Sequence, residues 1–164
     1  MPAPGPRSAL ALDVGRRRVG LAGCDALGLT VTPLPALWRG PFPQDLGVLK
    51  GLVRRRDIQA LVVGLPLDAR QQPTSQTAHC LRYGLRVARA LAATGLVLPL
   101  AWVNEHASTW EAAERFSLHG DRSGKLDSAA AVLLLEQWLR EGPEPDPVAP
   151  ATIPRGAAAI TAPS

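Results

Sequence analysis

The stretch Leu10-Ala11-Leu12-Asp13-Val14-Gly15 sets the reading of the whole chain. With Ser8 and Ala9 before it, it is a run of small and branched apolar residues without charge, as in a buried strand. The run closes on a carboxylate, and desolvating a charge there is costly unless something pairs with it. Gly15 permits a turn or a close approach. Arg16, Arg17 and Arg18 follow, and Arg18-Val19-Gly20-Leu21-Ala22-Gly23-Cys24 reads as a returning strand. Strands at 8–14 and 17–24 thus form a hairpin with a carboxylate at its turn. Such a hairpin can hold a metal ion. Alternatively, Asp13 caps the turn through the neighbouring backbone, as aspartate does in many turns.

A chain of 164 residues fits one domain, and 46% hydrophobic residues suffice for a core. The net charge of +4 and a sequence pI near 9.8 are compatible with a polyanionic partner without requiring one. Cys24 and Cys80 are far apart and form no C-x-x-C, which speaks against a disulfide framework or a zinc site. No apolar stretch approaches the roughly 18 residues of a membrane span. No signal-peptide pattern opens the chain, because Asp13 interrupts the first apolar run. A soluble protein of the reducing cytoplasm is expected.

Residues 1–7 are a Pro/Gly-rich arm, expected to be disordered. After the hairpin, Leu27–Thr32 reads as a third strand ended by Pro33 and Pro35, with Leu37 and Trp38 as a possible extension. A helix is expected over about 43–56, with Leu46, Leu49, Leu52 and Val53 on one face and Arg54–Arg56 at its end. Ile58–Leu65 is nearly continuous in apolar character, as in a central parallel strand. A long helix over about 75–94 carries Leu81, Leu85, Ala88 and Ala92 on its core face and Arg82, Arg86 and Arg89 on another. The run 96–103 is the next strand, with Pro99 requiring either an edge position or a start after the proline. Ser108-x-x-Glu111 is a capping box that opens a helix to about Leu118. A last helix spans about 126–140. Beyond Gly142 the chain is Pro/Ala-rich and aperiodic, and 142–164 is expected to be a disordered tail. The domain is therefore 8–141, a mixed α/β unit with a central sheet covered on both faces.

In open α/β sheets, functional groups gather at the carboxyl ends of the strands. Asp13 ends the first strand and Glu105 the last. Asp127 begins the last helix, with Ala131, Leu134 and Trp138 following on the same inner stripe. Taken singly, each has an ordinary explanation; Asp127, for instance, suits a helix start, with Lys125 nearby to neutralise it. Together they suit one or two Mg²⁺ or Mn²⁺ ions, which prefer oxygen ligands. Such ions can activate water and stabilise a leaving oxygen in phosphodiester hydrolysis.

Four blocks carry a family resemblance. Leu12-Asp13-Val14-Gly15 through Arg18-Val19-Gly20-Leu21-Ala22 resembles the opening motif of the YqgF/RuvX family, and Val62-Val63-Gly64-Leu65-Pro66-Leu67 its second. Asn104-Glu105-His106-Ala107-Ser108-Thr109 is similar to its Asp-Glu-Arg-x-Ser/Thr-Thr motif, and Gly124-Lys125-Leu126-Asp127-Ser128-Ala129-Ala130 to its last. Thr32–Ala36 also fits. The blocks come in family order and cover 8–141. The resemblance implies a ribonuclease H-like fold with a five-stranded mixed sheet flanked by helices. It implies a nuclease acting on structured nucleic acid, associated with 5′-end maturation of pre-16S rRNA in ribosome biogenesis and, by older analogy, with Holliday junction cleavage. Its partners would be pre-rRNA or branched DNA and a ribosomal precursor particle. By the same resemblance Asp13, Glu105 and Asp127 would be the catalytic, metal-binding carboxylates.

The family's Asp-Glu-Arg reads Asn104-Glu105-His106 here. Successive strand residues face opposite ways, so Asn104 and Glu105 are not expected to share the metal, and Glu105 is favoured. Asp68 reads as a solvated loop acid rather than a further ligand. His106 suits a phosphate contact better than a metal, since no other His has ligand spacing with it. Arg16, Arg17, Arg18, Arg82, Arg86, Arg89 and Lys125 are the candidate nucleic-acid contacts. A competing reading is a catalytically weakened nucleic-acid-binding module. An actin-like phosphotransferase is disfavoured, because that fold needs two such domains.

Overall fold

In the computed structural model, which describes residues 7–105, 114–115 and 123–148, the first strand lies in the middle of a five-stranded sheet. The strands are β1 (Ala9–Val14), β2 (Arg18–Cys24), β3 (Val31–Trp38), β4 (Ala60–Leu65) and β5 (Leu100–Asn104). Their spatial order is β3-β2-β1-β4-β5. β1 pairs antiparallel with β2 and parallel with β4, β2 antiparallel with β3, and β4 parallel with β5. The helices are α1 (Phe42–Arg55), α2 (Ser75–Ala93) and α3 (Lys125–Glu141).

The two faces of the sheet are built from residues of different size. Leu10, Leu12, Leu21, Leu61, Val63 and Leu65 pack under α1 and α2, against Leu49, Val53, Val87 and Leu91. Ala9, Ala11, Ala22, Ala60, Val62 and Ala101 face α3, against Ala131, Leu135 and the fully buried Trp138. Strand alternation separates the two sets. Small side chains bring α3 close to the sheet, and Asp13 lies on that side, in phase with Ala9 and Ala11.

Three expectations change. The third strand does not begin at Leu27 but runs from Val31 through the Leu37–Trp38 extension. Asp25 accepts hydrogen bonds from the Leu27 and Thr30 amides and closes a turn, and the strand begins at Val31. Pro33 and Pro35 lie inside it rather than ending it. β3 is an edge strand, where a residue without an N–H is tolerated. β5 starts after Pro99, at Leu100, and it is the other edge strand, as the proline required. The chain also does not leave the domain at Gly142. Asp146 exchanges two backbone hydrogen bonds with Leu100, the Trp138 indole donates to the Pro143 carbonyl, and Val148 is buried. Residues 143–148 thereby cover part of the β5 edge, which would otherwise present unpaired backbone groups. The helix expected over 108–118, with its capping box, lies outside the described residues except for 114–115, which are helical.

Candidate active site

Asp13 and Glu105 meet at the carboxyl ends of β1 and β5, on the α3 side of the sheet, and their carboxyl groups hydrogen-bond to each other. β4 runs between these strands, and Gly64 is what lets them meet. A Cβ at Gly64 would stand 2.2 Å from Glu105 Oε1. The Glu105 side chain therefore lies across the space a side chain at 64 would fill. Asn104 pairs with Leu65, which belongs to the α1–α2 face, so the two neighbours in Asn104-Glu105 point to opposite sides as expected. Asn104 is exposed, and its carbonyl accepts from Gln137 of α3.

Asp127 arrives through a second close approach. Gly20 is the register partner of Asp13 on β2, and a Cβ there would stand 1.9 Å from the Asp127 carbonyl oxygen. Only glycine allows the first turn of α3 to rest directly on the strand. The Ser128 hydroxyl fastens the same turn by donating to the Leu34 carbonyl of β3 at 2.5 Å.

Burial pushes the Asp13 carboxyl well above the usual carboxylate range, with the nearby Glu105 and Asp127 charges adding to it. Burial also raises Glu105, and its hydrogen bond with Asp13 partly offsets this. Two carboxyls in this setting hold a proton between them more readily than two negative charges. A divalent cation satisfies the same electrostatic demand, and the donors are the hard oxygens such an ion prefers. Asp127 Oδ2 is buried and has no hydrogen-bond partner among the described residues. It faces Arg18, whose Nε is 3.1 Å away, an ion pair without hydrogen-bond alignment. Among the described residues no three carboxylate, thiol or imidazole groups stand together as a finished ligand shell. The donor set fits a metal through Asp13 and Glu105, with the Asp127 charge near Asp13 while its Oδ2 faces Arg18.

A basic rim borders the acids. Arg39, which follows β3, donates from Nη1 to the Gly15 carbonyl and to His79 Nε2, both at 2.8 Å. Arginine has no acceptor, so His79 Nε2 must accept, and the ring is neutral. Burial and the charges of Arg39, Arg82 and Arg16 hold the His79 pKa below its ordinary value. Arg16, Arg39 and Arg82 thus surround one imidazole beside the turn that follows Asp13. Neither Arg39 nor His79 stood out in the sequence, since each is an isolated polar residue with no motif around it.

The other expected contacts have separate fates. Arg16 and Arg17 are exposed at the hairpin turn, and Lys125 is exposed at the start of α3. Arg18 is engaged with Asp127 and stacks on Trp38 at 5.1 Å, so it is Arg18, not Lys125, that the structure pairs with Asp127. The row Arg82, Arg86, Arg89 is not a uniform cationic face. Arg86 lies over the Phe42 ring at 3.8 Å, and the Arg89 Nε is buried with no hydrogen-bond partner among the described residues. Asp68 is exposed and accepts from the Arg70 and Gln72 amides, a loop-closing role. Cys80 lies under the site on the α2 side, its thiol pushed up to about 12 by burial and by Glu105 and Asp13, which makes it inert as a nucleophile. His106 lies outside the described residues.

Residues 7–141 match the family model described as RuvX, Holliday junction resolvase. The chain is 66% identical over 145 residues to a protein of Parasynechococcus marenigrum (strain WH8102) named "Putative pre-16S rRNA nuclease", covering 88% of this chain and 89% of that one. A protein of the same name from Prochlorococcus marinus (strain MIT 9313) is 63% identical over 145 residues, 88% of this chain and 87% of that one. Among solved structures, Thermus thermophilus RuvC in complex with a Holliday junction substrate superposes with a TM-score of 0.54 at 17% identity, over 86% of this chain and 99% of that one. This last likeness establishes a shared ribonuclease H-like fold.

Proposed function

The chain belongs to the RuvX family, and on that premise we propose that it is a metal-dependent nuclease that hydrolyses phosphodiester bonds in structured nucleic acid. Its role is 5′-end maturation of pre-16S rRNA in the cytoplasm, on a ribosomal precursor particle. The observation that carries this reading is the Asp13–Glu105 contact, with Asp127 beside it, next to a cluster of arginines. An acidic pair alone would repel a phosphodiester. Arginines alone would bind one without cleaving it. Their adjacency suits a reaction in which anionic substrate and cation-binding carboxylates must meet.

Asp13 and Glu105 would hold Mg²⁺ or Mn²⁺, with Asp127 completing the set. When bound, the ion supplies a water of lowered pKa and Lewis-acid stabilisation of the leaving oxygen. The chain's own residues do the rest. Gly64 and Gly20 fix where the carboxylates stand. Arg16, Arg39 and Arg82 draw the phosphate backbone against the hairpin turn, contacts that position without choosing sequence. Neutral His79 orients Arg39 rather than contributing charge. Arg18, whose Nε is 3.1 Å from Asp127, is a further cation beside the acids.

The test is cleavage of an RNA spanning the 5′ boundary of 16S rRNA, with Mg²⁺ or Mn²⁺, by the native protein and by Asp13→Asn. The native protein cleaves and Asp13→Asn does not. Equal cleavage by both would remove the site proposed here. The binding-module reading predicts instead an inactive native protein that gains cleavage with Asn104→Asp. The outward orientation of Asn104 disfavours it, since a carboxylate there would point away from Glu105. A four-way DNA junction in the same assay examines the resolvase alternative.

A further inference from the structure

Between the β3 edge and the start of α3 lies a groove with a volume of about 780 Å³, lined by Pro33, Leu34, Pro35, Trp38 and Ala129 with Lys125 at its rim. Trp38 is 59% exposed, although an indole is among the side chains that gain most from burial. We propose that this groove seats an unpaired nucleobase of the nucleic-acid substrate, with Trp38 as the stacking platform and Arg18 and Lys125 as its cationic rim. The inference rests on the nuclease reading and adds to it a preference for substrates with an unstacked base next to the cleaved bond.

Three observations converge on a base rather than another occupant. Arg18 links the groove to Asp127, because it lies over the Trp38 ring and is ion-paired with Asp127. Lys125 brings positive charge to the rim, with Arg18 over the Trp38 ring beside it, and this complements a sugar–phosphate backbone entering an apolar slot. The volume also lies in the range of roughly 300–1,000 Å³ typical of pockets for small organic groups, whereas a paired duplex is too wide to enter one. Aromatic stacking of unpaired bases is the common way proteins recognise single-stranded segments of RNA. The edge of β3 is interrupted by Pro33 and Pro35, which lack the N–H groups a docking peptide strand would use.

The experiment uses the full chain with EDTA, so that no cleavage intervenes. Two probes are compared: an RNA hairpin with a single-stranded 5′ extension carrying 2-aminopurine, and a fully paired RNA duplex of matched sequence. The same pair in DNA distinguishes the two sources of the base. Trp38→Ala should weaken binding of the extended probe about tenfold, the usual effect of losing one stacked base. Duplex affinity and the slope of log affinity against log salt should stay unchanged, because every phosphate-binding side chain is still present. Quenching of 2-aminopurine on binding should be lost in Trp38→Ala and largely kept in Trp38→Phe. Native protein that binds both probes with Trp38→Ala unchanged overturns the base subsite and leaves the nuclease reading intact. Native protein that binds neither probe overturns both. A change in sedimentation of the protein alone upon Trp38→Ala would make the groove a contact between copies of the chain, and would overturn the proposal as well. Trp38 is exposed, so an unaltered melting curve is the control for folding.

Discussion

Asp13 and Glu105 oppose each other electrostatically where no cation joins them. Their raised pKa values have a consequence for stability whose sign is fixed. Below pH 3.8, the ordinary value for aspartate, Asp13 is protonated both folded and unfolded and has no effect. As pH rises above that, the unfolded chain loses the proton first, so stability falls until the folded carboxyl also ionises. In EDTA, Asp13→Asn should therefore be at least as stable as the native protein near pH 4 and gain on it toward pH 8. The gain is about 1.4 kcal/mol for each unit by which the folded pKa exceeds the unfolded one. Urea unfolding across that range measures it, and a native protein that gains on the variant as pH rises would contradict it. In the cleavage assay the same substitution should cost about a hundredfold or more in kcat, the scale seen when one preorganised charge contact is removed. Gly64→Ala separates position from charge. Its Cβ would collide with the end of a flexible side chain, so the fold should tolerate it, while displacement of Glu105 should lower activity about a hundredfold.

The elements meet the site with different tolerances. At Gly20 the obstacle to a Cβ is backbone, the first turn of α3, and backbone cannot step aside. Gly20→Ala should lift that turn from β2 and cost about 1–3 kcal/mol or more in urea unfolding, against little for Gly64→Ala. For binding, the relevant unit is the junction of the β1–β2 turn, the end of β3 and α2, where Arg16, Arg39 and Arg82 surround His79. Removing all three charges should flatten the slope of log affinity against log salt by roughly two to three units, at about 0.9 for each phosphate no longer neutralised. Arg86→Ala and Arg89→Ala should change that slope little, because one guanidinium lies over Phe42 and the Nε of the other is buried. An equal effect of all five would return the whole arginine row to the binding surface.

For the molecule as a whole, residues 143–148 complete the domain rather than trailing from it. Ending the chain at Gly142 would expose the β5 edge, remove Val148 from the core and strip Trp138 of its acceptor. Burying a valine contributes about 1.5–3 kcal/mol, and each of the three hydrogen bonds about 1 kcal/mol. Truncation after 142 should therefore lower stability by several kcal/mol, on the order of 4.5–6. Truncation after 148 keeps all of these groups and should leave the melting temperature unchanged. A melting temperature that already falls in the truncation after 148 would place the supporting contacts later in the chain.

The architecture was legible because it depends on short-range pattern. Ser8–Leu12 and Ile58–Leu65 are apolar on both faces, so they had to be inner strands, and β1 and β4 are the inner parallel pair. Asp13, Glu105 and Asp127 were legible as candidates because a charge closing an apolar run, or on the inner stripe of a helix, is conspicuous within a few residues. The prolines misled at β3, where edge position, a property of the assembled sheet, sets what a proline costs. Pairings between distant residues left no local trace. Arg18 reads as a surface cation until α3 brings Asp127 to it. Arg39 reads as a loop residue until α2 brings His79. Residues 143–148 read as disordered until Leu100 offers Asp146 a strand edge. Patterning of period two or 3.6 reports which way a side chain faces, inward or outward. Which side chain it meets depends on packing between segments far apart in the chain, and that becomes visible only once helix and sheet are in contact.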